Sequence, residues 1–306
     1  MASSIRVETH INRGPALDML SSLIIGSEAA VLVDVPLTVP QAKKLAEWIR
    51  NTTNKPLVAI FTTHFHPDHY LSTPTILAEF PTARFYANSK TVALIKNEAQ
   101  KKADFWGPIL GKDNVVPKPA IPTAYDFSFF KLSGDDLIYL LGPINGDAPD
   151  ETMFWIPSIR TLIAGDVVYS HELHVWLADL VDPSLTTAWI ASLDLIGTLG
   201  AEILIPGHAL TNNKPFSATQ DFAHTRAYVE FFNKEIEAPP ADTFTPQEIK
   251  NMLDKAFPGL LGGSSSTSDT LVEITSQHFG RGGSRQEHFV DLAAHQNAIP
   301  SHWTLT

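Results

Sequence analysis

A chain of 306 residues with 44% hydrophobic and 18% charged residues has enough apolar sequence for a large core, which excludes disorder for most of its length. Its 22 basic and 33 acidic residues give a formal net charge of −11, which argues against nucleic acid and anionic membranes as main partners. The absence of cysteine excludes disulfides, thiolate catalysis and iron–sulfur clusters, so any metal must bind through nitrogen and oxygen atoms.

The N-terminal segment carries no recognisable targeting signal. Residues 1–10 lack the basic start, the apolar run and the small-residue cleavage site of a secretion signal. No uninterrupted apolar window of about 18 residues is present in the chain. These features predict a soluble cytoplasmic protein, while the oligomeric state has no sequence signal.

The first half of the chain alternates between strand and helix patterns. Apolar runs at residues 22–25 and 30–34, separated by Gly26-Ser27-Glu28, predict a hairpin. Further strands are predicted at residues 57–61 and 84–87, and helices at residues 40–49, 75–80 and 91–105. This order predicts a βαβ arrangement whose buried strand 57–61 leads into a histidine-rich loop.

The second half repeats this arrangement. Strands are predicted at residues 126–132, 137–141, 152–156, 161–164 and 202–205, and helices at residues 183–196 and 246–256. The strand at 202–205 also leads into a loop that contains a histidine. Residues 259–270 and 280–286 are rich in Gly and Ser and predict a loosely packed tail, with folding of part of it over the body left open.

The segment His64-Phe65-His66-Pro67-Asp68-His69 follows a buried strand directly. It places three imidazoles and one carboxylate, all candidate metal ligands, within six residues. A loop at the carboxyl end of a strand directs alternate imidazoles to one point, while Asp68 and His69 turn toward a second. A polar turn with solvated histidines is the alternative, but this density of ligands favours a metal site.

Two later strand ends carry residues of the same kind. Asp166 lies in LIAGDVVY and His208 in LIPGHA, each just after an apolar strand. Either one alone fits a turn carboxylate or a residue near a helix cap. Together with the first cluster they predict that six side chains converge within a few ångströms: His64, His66, Asp68, His69, Asp166 and His208.

This order of motifs resembles the metallo-β-lactamase superfamily, with Asp34 at an upstream strand end, then HxHxDH, then Gly165-Asp166, then Pro206-Gly207-His208. The resemblance is strongest over residues 15–235. It implies an α/β (α+β) fold, a four-layer αββα sandwich with metal sites at the open edge of its sheets. A single domain is expected over residues 1–306, in which 240–306 form a C-terminal helix and a Gly/Ser-rich tail.

The resemblance also implies a role for each candidate residue. The implied metal ligands are His64 and His66 with a third residue in the first site, and Asp68, His69 and His208 in the second. Asp166 is implied to bridge two ions. Asp34 is implied to orient the loop rather than bind metal.

The third ligand of the first site departs from the family pattern. The family supplies a histidine there, whereas GPINGDAPDET at residues 142–152 contains none. Counting back from DETMFWIPS places Asn145 at that position, with Asp147 or Asp150 as substitutes. Because an amide oxygen is a weak ligand for zinc, the second site is expected to fill before the first. The substitution Asn145→His is then expected to raise the amount of metal bound per chain at limiting metal.

The ligand types predict hydrolysis by a metal-bound hydroxide. Zinc lowers the pKa of bound water from about 16 to about 7 and polarises a carbonyl group. Small esters, lactones, thioesters and amides are therefore the expected substrates, with Asp68 as the catalytic residue that passes a proton to the leaving group. The expected cofactor is one or two Zn²⁺ ions, with iron and manganese as alternatives.

Two other functions stay open. The same ligands serve an iron-dependent oxygenase, a lyase or an isomerase, and metal analysis separates these from a zinc hydrolase. A binding protein with one degenerate metal site is the other alternative, although the intact HxHxDH, GD and PGH motifs argue against it.

The remaining histidines and aromatic residues carry weaker signals. His174 is a candidate for substrate contact, and the alternative is a loop histidine beside Trp176. Surface positions are predicted for His224, His278, His288, His295 and His302. Phe105, Trp106 and Trp176 are candidates for an apolar pocket, with the core as the alternative.

Overall fold

The computed structural model describes residues 5–132, 134–212 and 216–283. The strands are β1 (Arg6–Asn12), β2 (Met19–Ile25), β3 (Ala30–Val33), β4 (Leu57–Phe61), β5 (Arg84–Ala87), β6 (Thr123–Ala124), β7 (Phe129–Lys131), β8 (Leu137–Ile144), β9 (Glu151–Ile156), β10 (Thr161–Gly165) and β11 (Ile203–Pro206). The helices are α1 (Val39–Thr52), α2 (Thr73–Glu79), α3 (Ser89–Leu110), α4 (Pro183–Leu199), α5 (Gln220–Phe231), α6 (Pro246–Ala256) and α7 (Thr267–Phe279). Two short 3₁₀ helices, at Pro67–His69 and Pro157–Ile159, and a π-helical segment at Phe232–Glu237 complete the regular structure of the described residues.

The strands form two sheets that correspond to the two halves of the chain. The first sheet has the order β1-β2-β3-β4-β5-β6, and the second has the order β11-β10-β9-β8-β7. β2 and β3 form the predicted antiparallel hairpin, while β3, β4, β5 and β6 run parallel. β10 and β11 also run parallel, so the carboxyl ends of β3, β4, β10 and β11 are free to carry a shared site.

Three apolar clusters define the layers. Leu23 and Ile24 are successive residues of β2 that face opposite sides of the strand: Leu23 packs under the helices of the first half, and Ile24 packs between the sheets. On the far side, Trp189 of α4 and Val229 of α5 belong to a third cluster. The order helix, sheet, sheet, helix confirms the predicted four-layer αββα sandwich.

Strand β1 is one of the elements that the sequence pattern did not predict. Its residues, RVETHIN, alternate weakly, and only Thr9 and Asn12 are buried. It pairs along its whole length with the fully buried strand β2. Backbone pairing with an apolar neighbour therefore makes a strand of a sequence with little hydrophobic signal of its own.

Helix α7 lies within the segment that the sequence described as a Gly/Ser-rich tail. Asp18 accepts hydrogen bonds from the hydroxyls of Ser265 and Thr267 at the start of this helix. Leu271 and Val272 are buried in the same cluster as α4 and α5. Part of the tail thus folds over the body, which was the outcome left open. In the described ranges, no helix combines the length and apolar character needed to cross a membrane.

Candidate metal centre

The candidate site lies where four strands end. Asp34 follows β3, the loop from residue 62 follows β4, Asp166 follows β10 and His208 follows β11. An isolated bridge between Met19 and His208 brings the start of β2 to the same edge. The apolar runs that form the strands thus place these polar side chains at one edge of the sandwich.

The polar side chains form two groups. One contains His64, His66, Asp147 and Asp166, and the other contains Asp68, His69 and His208. Within each group, one ligand atom from every residue lies within 4.8 Å of the others. The structure therefore brings together all six residues singled out from the sequence and adds Asp147 to them.

Asp147, rather than Asn145, joins the first group. Asp147 is buried, and Tyr169 donates a hydrogen bond of 2.7 Å to its carboxylate. Asn145 is also buried, but its amide nitrogen donates to the carbonyl oxygen of Leu185 in α4 at 2.9 Å. The side chain of the third candidate, Asp150, lies 3.7 Å from the Lys90 ammonium. The geometry favours Asp147 as the residue in place of the family histidine.

Asp34 holds the histidine loop in place. Its carboxylate accepts hydrogen bonds from the backbone N–H of Thr63 at 2.8 Å and from the Thr63 hydroxyl at 2.9 Å, and it lies 2.9 Å from Nδ1 of His69. Asp34 has a positive φ of 65°, a conformation that aspartate tolerates better than most residues. Because its carboxylate occupies Nδ1 of His69, the other ring nitrogen faces His208 and Asp166.

Two further residues orient ligands in the same way, and sequence reasoning did not identify them. Oδ2 of Asp179 lies 2.6 Å from Nε2 of His66 and accepts a hydrogen bond of 3.1 Å from the Trp176 indole. Tyr169 donates to both Asp147 and Asp166. Asp179 has no local signal, because it is 113 residues from His66 along the chain, whereas Tyr169 lies three residues from Asp166 and 22 residues from Asp147.

Two glycines allow the close packing behind Asp166. A Cβ atom at Gly207 would lie 1.7 Å from Oδ1 of Asp166, and a Cβ atom at Gly165 would lie 2.9 Å from the Thr63 side chain. Gly165 also has a positive φ of 56°. The glycines of the GD and PGH motifs are therefore required by backbone approach rather than by flexibility.

Burial and crowding shift the pKa of several groups. Burial and the neighbouring carboxylates of Asp166 and Glu151 hold the pKa of Asp147 well above its ordinary value. Burial also acts to raise the pKa of Asp166, but His208 and His69 lower it well below its ordinary value. Burial, His69 and His66 keep the pKa of His64 well below 6.5. A neutral His64 beside an ionised Asp166 is the protonation state that binds a cation.

Unpaired atoms at this position fit a metal ion. Among the described residues, Nε2 of His64, Oδ1 of Asp147 and Oδ1 of Asp166 are buried and make no hydrogen bond. Buried polar atoms in native proteins are nearly always paired, and these three belong to the same group. A divalent cation would satisfy all of them, and their nitrogen and oxygen donors suit zinc, iron or manganese.

A cavity of about 420 Å³ opens onto both groups. His66, Asp68, Asp147, Asp166 and His208 contribute to its lining. The rest of the described lining consists of Pro15, Leu17, Leu37, Pro67, Lys102, Phe105, Trp106, Leu110, Tyr169, Trp176, Thr270, Leu271 and Ile274. The three aromatic residues proposed from the sequence as pocket candidates, Phe105, Trp106 and Trp176, all lie on this cavity.

His174 does not contribute to the described lining of this cavity. Its side chain is buried, and Nδ1 lies 2.8 Å from the Tyr228 hydroxyl. Two histidines predicted to be at the surface are not there: His278 is buried, and His224 is half-buried with its ring 2.8 Å from the Leu173 carbonyl oxygen. Their helices pack against the body, which sequence composition did not reveal. His288, His295 and His302 lie outside the described residues.

His174 is expected to make the free energy of unfolding depend on pH. Burial and the nearby charge of His224 lower its pKa from 6.5 to about 4. Between these values the unfolded chain binds a proton that the native protein does not, so stability falls as the pH falls through this window. For metal-free protein, urea unfolding at pH 7 and pH 5 should show a loss from this residue of about 2 kcal/mol.

The variant His174→Gln should show a smaller loss between the two pH values. His171→Gln serves as the control, because His171 lies on the same segment with its ring 2.6 Å from Asp221 and 40% of its side chain exposed. Equal pH dependence in wild-type protein and His174→Gln would contradict the assignment.

Asp34→Asn is expected to weaken metal binding by about 10–100-fold, the usual cost of losing a partner that orients a ligand. The amide keeps the shape and tolerates the positive φ, but it removes the charge beside His69. Zinc titration in the presence of a chelating indicator measures the change. Asp135→Asn is the matched control, because Asp135 is a buried aspartate that accepts a backbone N–H from Ser27 away from the site. Equal affinities in the two variants would contradict the role of Asp34.

Comparison with known proteins agrees with the fold and the candidate metal centre described above. The sequence model of the metallo-beta-lactamase superfamily matches residues 17–208. A linear primary-alkylsulfatase from a Pseudomonas species is 25% identical over 259 residues, which cover 74% of this chain and 48% of the relative. The chain thus spans about half the length of that protein. The metallo-beta-lactamase type 2 of Bacteroides fragilis is 23% identical over 225 residues, which cover 71% of this chain and 77% of the relative.

A solved structure shows the same fold. The DIM-1 metallo-beta-lactamase has a TM-score of 0.50 and 22% sequence identity, over 75% of this chain and 94% of that one.

Proposed function

Because the chain belongs to the metallo-beta-lactamase superfamily, we propose that it is a metal-dependent hydrolase that cleaves a small ester, lactone, thioester or amide. The observation that carries this proposal is the pair of buried ligand groups that share one cavity. The two curated relatives, an alkylsulfatase and a β-lactamase, are also hydrolases of small molecules.

The two groups would divide the candidate ligands between two ions. His64, His66 and Asp147 would hold the first ion, and Asp68, His69 and His208 the second. Asp166 lies between them, since its Oδ2 is 3.1 Å from Nε2 of His208 and 4.0 Å from Nε2 of His64. Zinc is the leading choice, and when bound it supplies hydroxide at neutral pH and polarises the scissile carbonyl group.

The chain's own residues then position and move protons. Asp68 has 14% of its side chain exposed, the largest exposure recorded for a carboxylate in the two groups, and it lies on the cavity. Its Oδ2 is 3.6 Å from Nε2 of His208. In this position Asp68 accepts a proton from the attacking water and donates it to the leaving group. Asp179 and Asp34 fix the rings of His66 and His69 while this occurs.

The test combines metal analysis with a substrate panel. Purified protein is analysed for zinc, iron and manganese, and each reconstituted form is assayed with p-nitrophenyl acetate, a lactone, a thioester, a β-lactam and octyl sulfate. Zinc-dependent turnover of at least one carbonyl substrate is expected. Bound iron together with substrate-dependent oxygen consumption would overturn the proposal in favour of an oxygenase. Turnover of octyl sulfate and of no carbonyl compound would show that the substrate is a sulfate ester.

A further inference from the structure

The cavity joins the ligand groups to an extended apolar wall. The same cavity of about 420 Å³ is lined by His66, Asp68 and His208 on one part and by aliphatic and aromatic side chains elsewhere. A volume of this size is typical of a small-molecule pocket. A substrate whose scissile group reaches the ligand groups therefore has the rest of its body against apolar side chains.

Helix α3 contributes the first wall. Phe105, Trp106 and Leu110 lie on the cavity, and Trp106 and Leu110 are one turn apart on the same face of the helix. Lys102 is the only Lys or Arg in the described lining, and its ammonium lies 4.0 Å from the carboxylate of the buried Glu98 one turn earlier. The charge of Lys102 is thus balanced by its own helix, and the wall is apolar rather than anion-binding.

Helix α7 contributes a second apolar wall. Thr270, Leu271 and Ile274 lie on the cavity at helical spacing. The hydrogen bond from the Thr267 hydroxyl to Asp18, 2.8 Å long, anchors the start of this helix beside β2. The family match ends at residue 208, so this wall is supplied by a part of the chain outside the matched segment.

We propose that the substrate of this site carries a hydrocarbon chain of roughly six to ten carbons on its scissile ester group, held between α3 and α7. This inference rests on the proposed function. Each methylene group that leaves water for an apolar wall should raise kcat/KM by about three- to fourfold until the cavity is filled. Either the acyl or the alcohol portion of the ester can supply the chain.

The first experiment uses zinc-reconstituted enzyme and two ester series. One is p-nitrophenyl acetate, butyrate, hexanoate, octanoate and decanoate, and the other is butyl, hexyl and octyl acetate. A rise in kcat/KM of at least tenfold for every two to three methylenes is expected in one series, followed by a plateau. Flat values in both series, with hydrolysis of the shortest esters, would overturn the proposal.

Variants connect the chain-length dependence to the walls. Phe105→Ala should lower the ratio of kcat/KM for the octanoyl ester to kcat/KM for the acetyl ester by about tenfold. Ile274→Trp should shift the plateau to shorter chains, because the larger side chain fills part of the cavity. Ile109→Ala is the matched control: Ile109 is an exposed apolar residue on the same helix, 58% exposed against 50% for Phe105, and it is absent from the described cavity lining. Equal ratios in Phe105→Ala and Ile109→Ala would overturn the assignment of the wall.

A binding measurement separates failure of this inference from failure of the proposed function. Trp106 and Trp176 lie on the cavity, so tryptophan fluorescence reports on its occupancy. Titration with 1-butanol, 1-hexanol and 1-octanol should give dissociation constants that fall with chain length, and Phe105→Ala should reduce this trend. If no ester is hydrolysed but longer alcohols bind more tightly, the hydrocarbon-binding pocket is supported and the hydrolase proposal fails. If the dissociation constants of the alcohols do not depend on chain length, the pocket proposal fails.

Discussion

Asp68→Ala is expected to abolish turnover, with a fall in kcat of at least about 10³-fold, while the protein stays folded. Asp68 contributes a carboxylate to the second ligand group and is also the proposed proton carrier at the cavity. It adds little to core burial, because it is a partly exposed residue of the short 3₁₀ helix Pro67–His69. The loss should therefore appear in catalysis rather than in stability.

The measurement of Asp68→Ala compares kcat, bound zinc and melting temperature in the variant and the wild-type protein. Asp113→Ala is the control, because Asp113 is an exposed aspartate in the turn after α3. The proton-carrier role of Asp68 predicts a kcat loss that persists when zinc is added to saturation. Hydrolysis near the wild-type rate in Asp68→Ala would refute the mechanism.

Asp147→Ala is expected to remove one metal equivalent per chain. Asp147 provides the only carboxylate besides Asp166 in the described group around His64 and His66, and loss of a direct ligand costs more than the roughly 10–100-fold lost with an orienting partner. Two imidazoles and a shared carboxylate then hold that ion poorly. Zinc per chain, measured by elemental analysis after the zinc-loaded protein is dialysed against metal-free buffer, should fall from about two in the wild-type protein to about one in the variant.

Asn145→His also tests the assignment of Asp147 as the third ligand, by adding an imidazole instead of removing a carboxylate. The sequence position suggested that this change restores a ligand, but the Asn145 amide donates to the Leu185 carbonyl oxygen in α4. If Asp147 is the ligand, Asn145→His leaves the zinc content unchanged at limiting metal. A gain of zinc in Asn145→His together with no loss in Asp147→Ala would show that the loop at residues 145–150 supplies the site differently.

The position of the site could be predicted from the sequence because its information is local. Apolar runs specify the strands β4, β10 and β11, and the residues that follow them are His64, Asp166 and His208. Carboxyl ends of parallel strands in α/β sheets are the usual place for ligands. Gly207 of the PGH motif has a structural reason as well, because a Cβ atom at this position would clash with Asp166.

Of the orienting residues, Asp34 was implied by the family resemblance, whereas Asp179 and Tyr169 were not identified from the sequence. Asp179 meets His66 across 113 residues, and Tyr169 donates a hydrogen bond to Asp147 across 22 residues. Helix α7 is a similar case: its sequence follows a Gly/Ser-rich run and resembles a tail, yet Leu271 is buried. Only packing against the body shows that this segment belongs to the cavity wall.

From the sequence, apolar runs predicted the strand ends and six of the residues that meet there, because hydrophobic periodicity and adjacent ligands act over short distances, whereas the layer order was implied by the family resemblance. Only the tertiary structure separates Asn145 from Asp147, since both lie in one loop, and the packing of α4 directs the Asn145 amide to Leu185 while Asp147 lies with His64 and His66. It also determined the lining of the cavity, to which both α3 and α7 contribute although more than 150 residues separate them. Packing against elements distant in sequence, rather than residue type, explains both the orientation of Asn145 and the lining of the cavity.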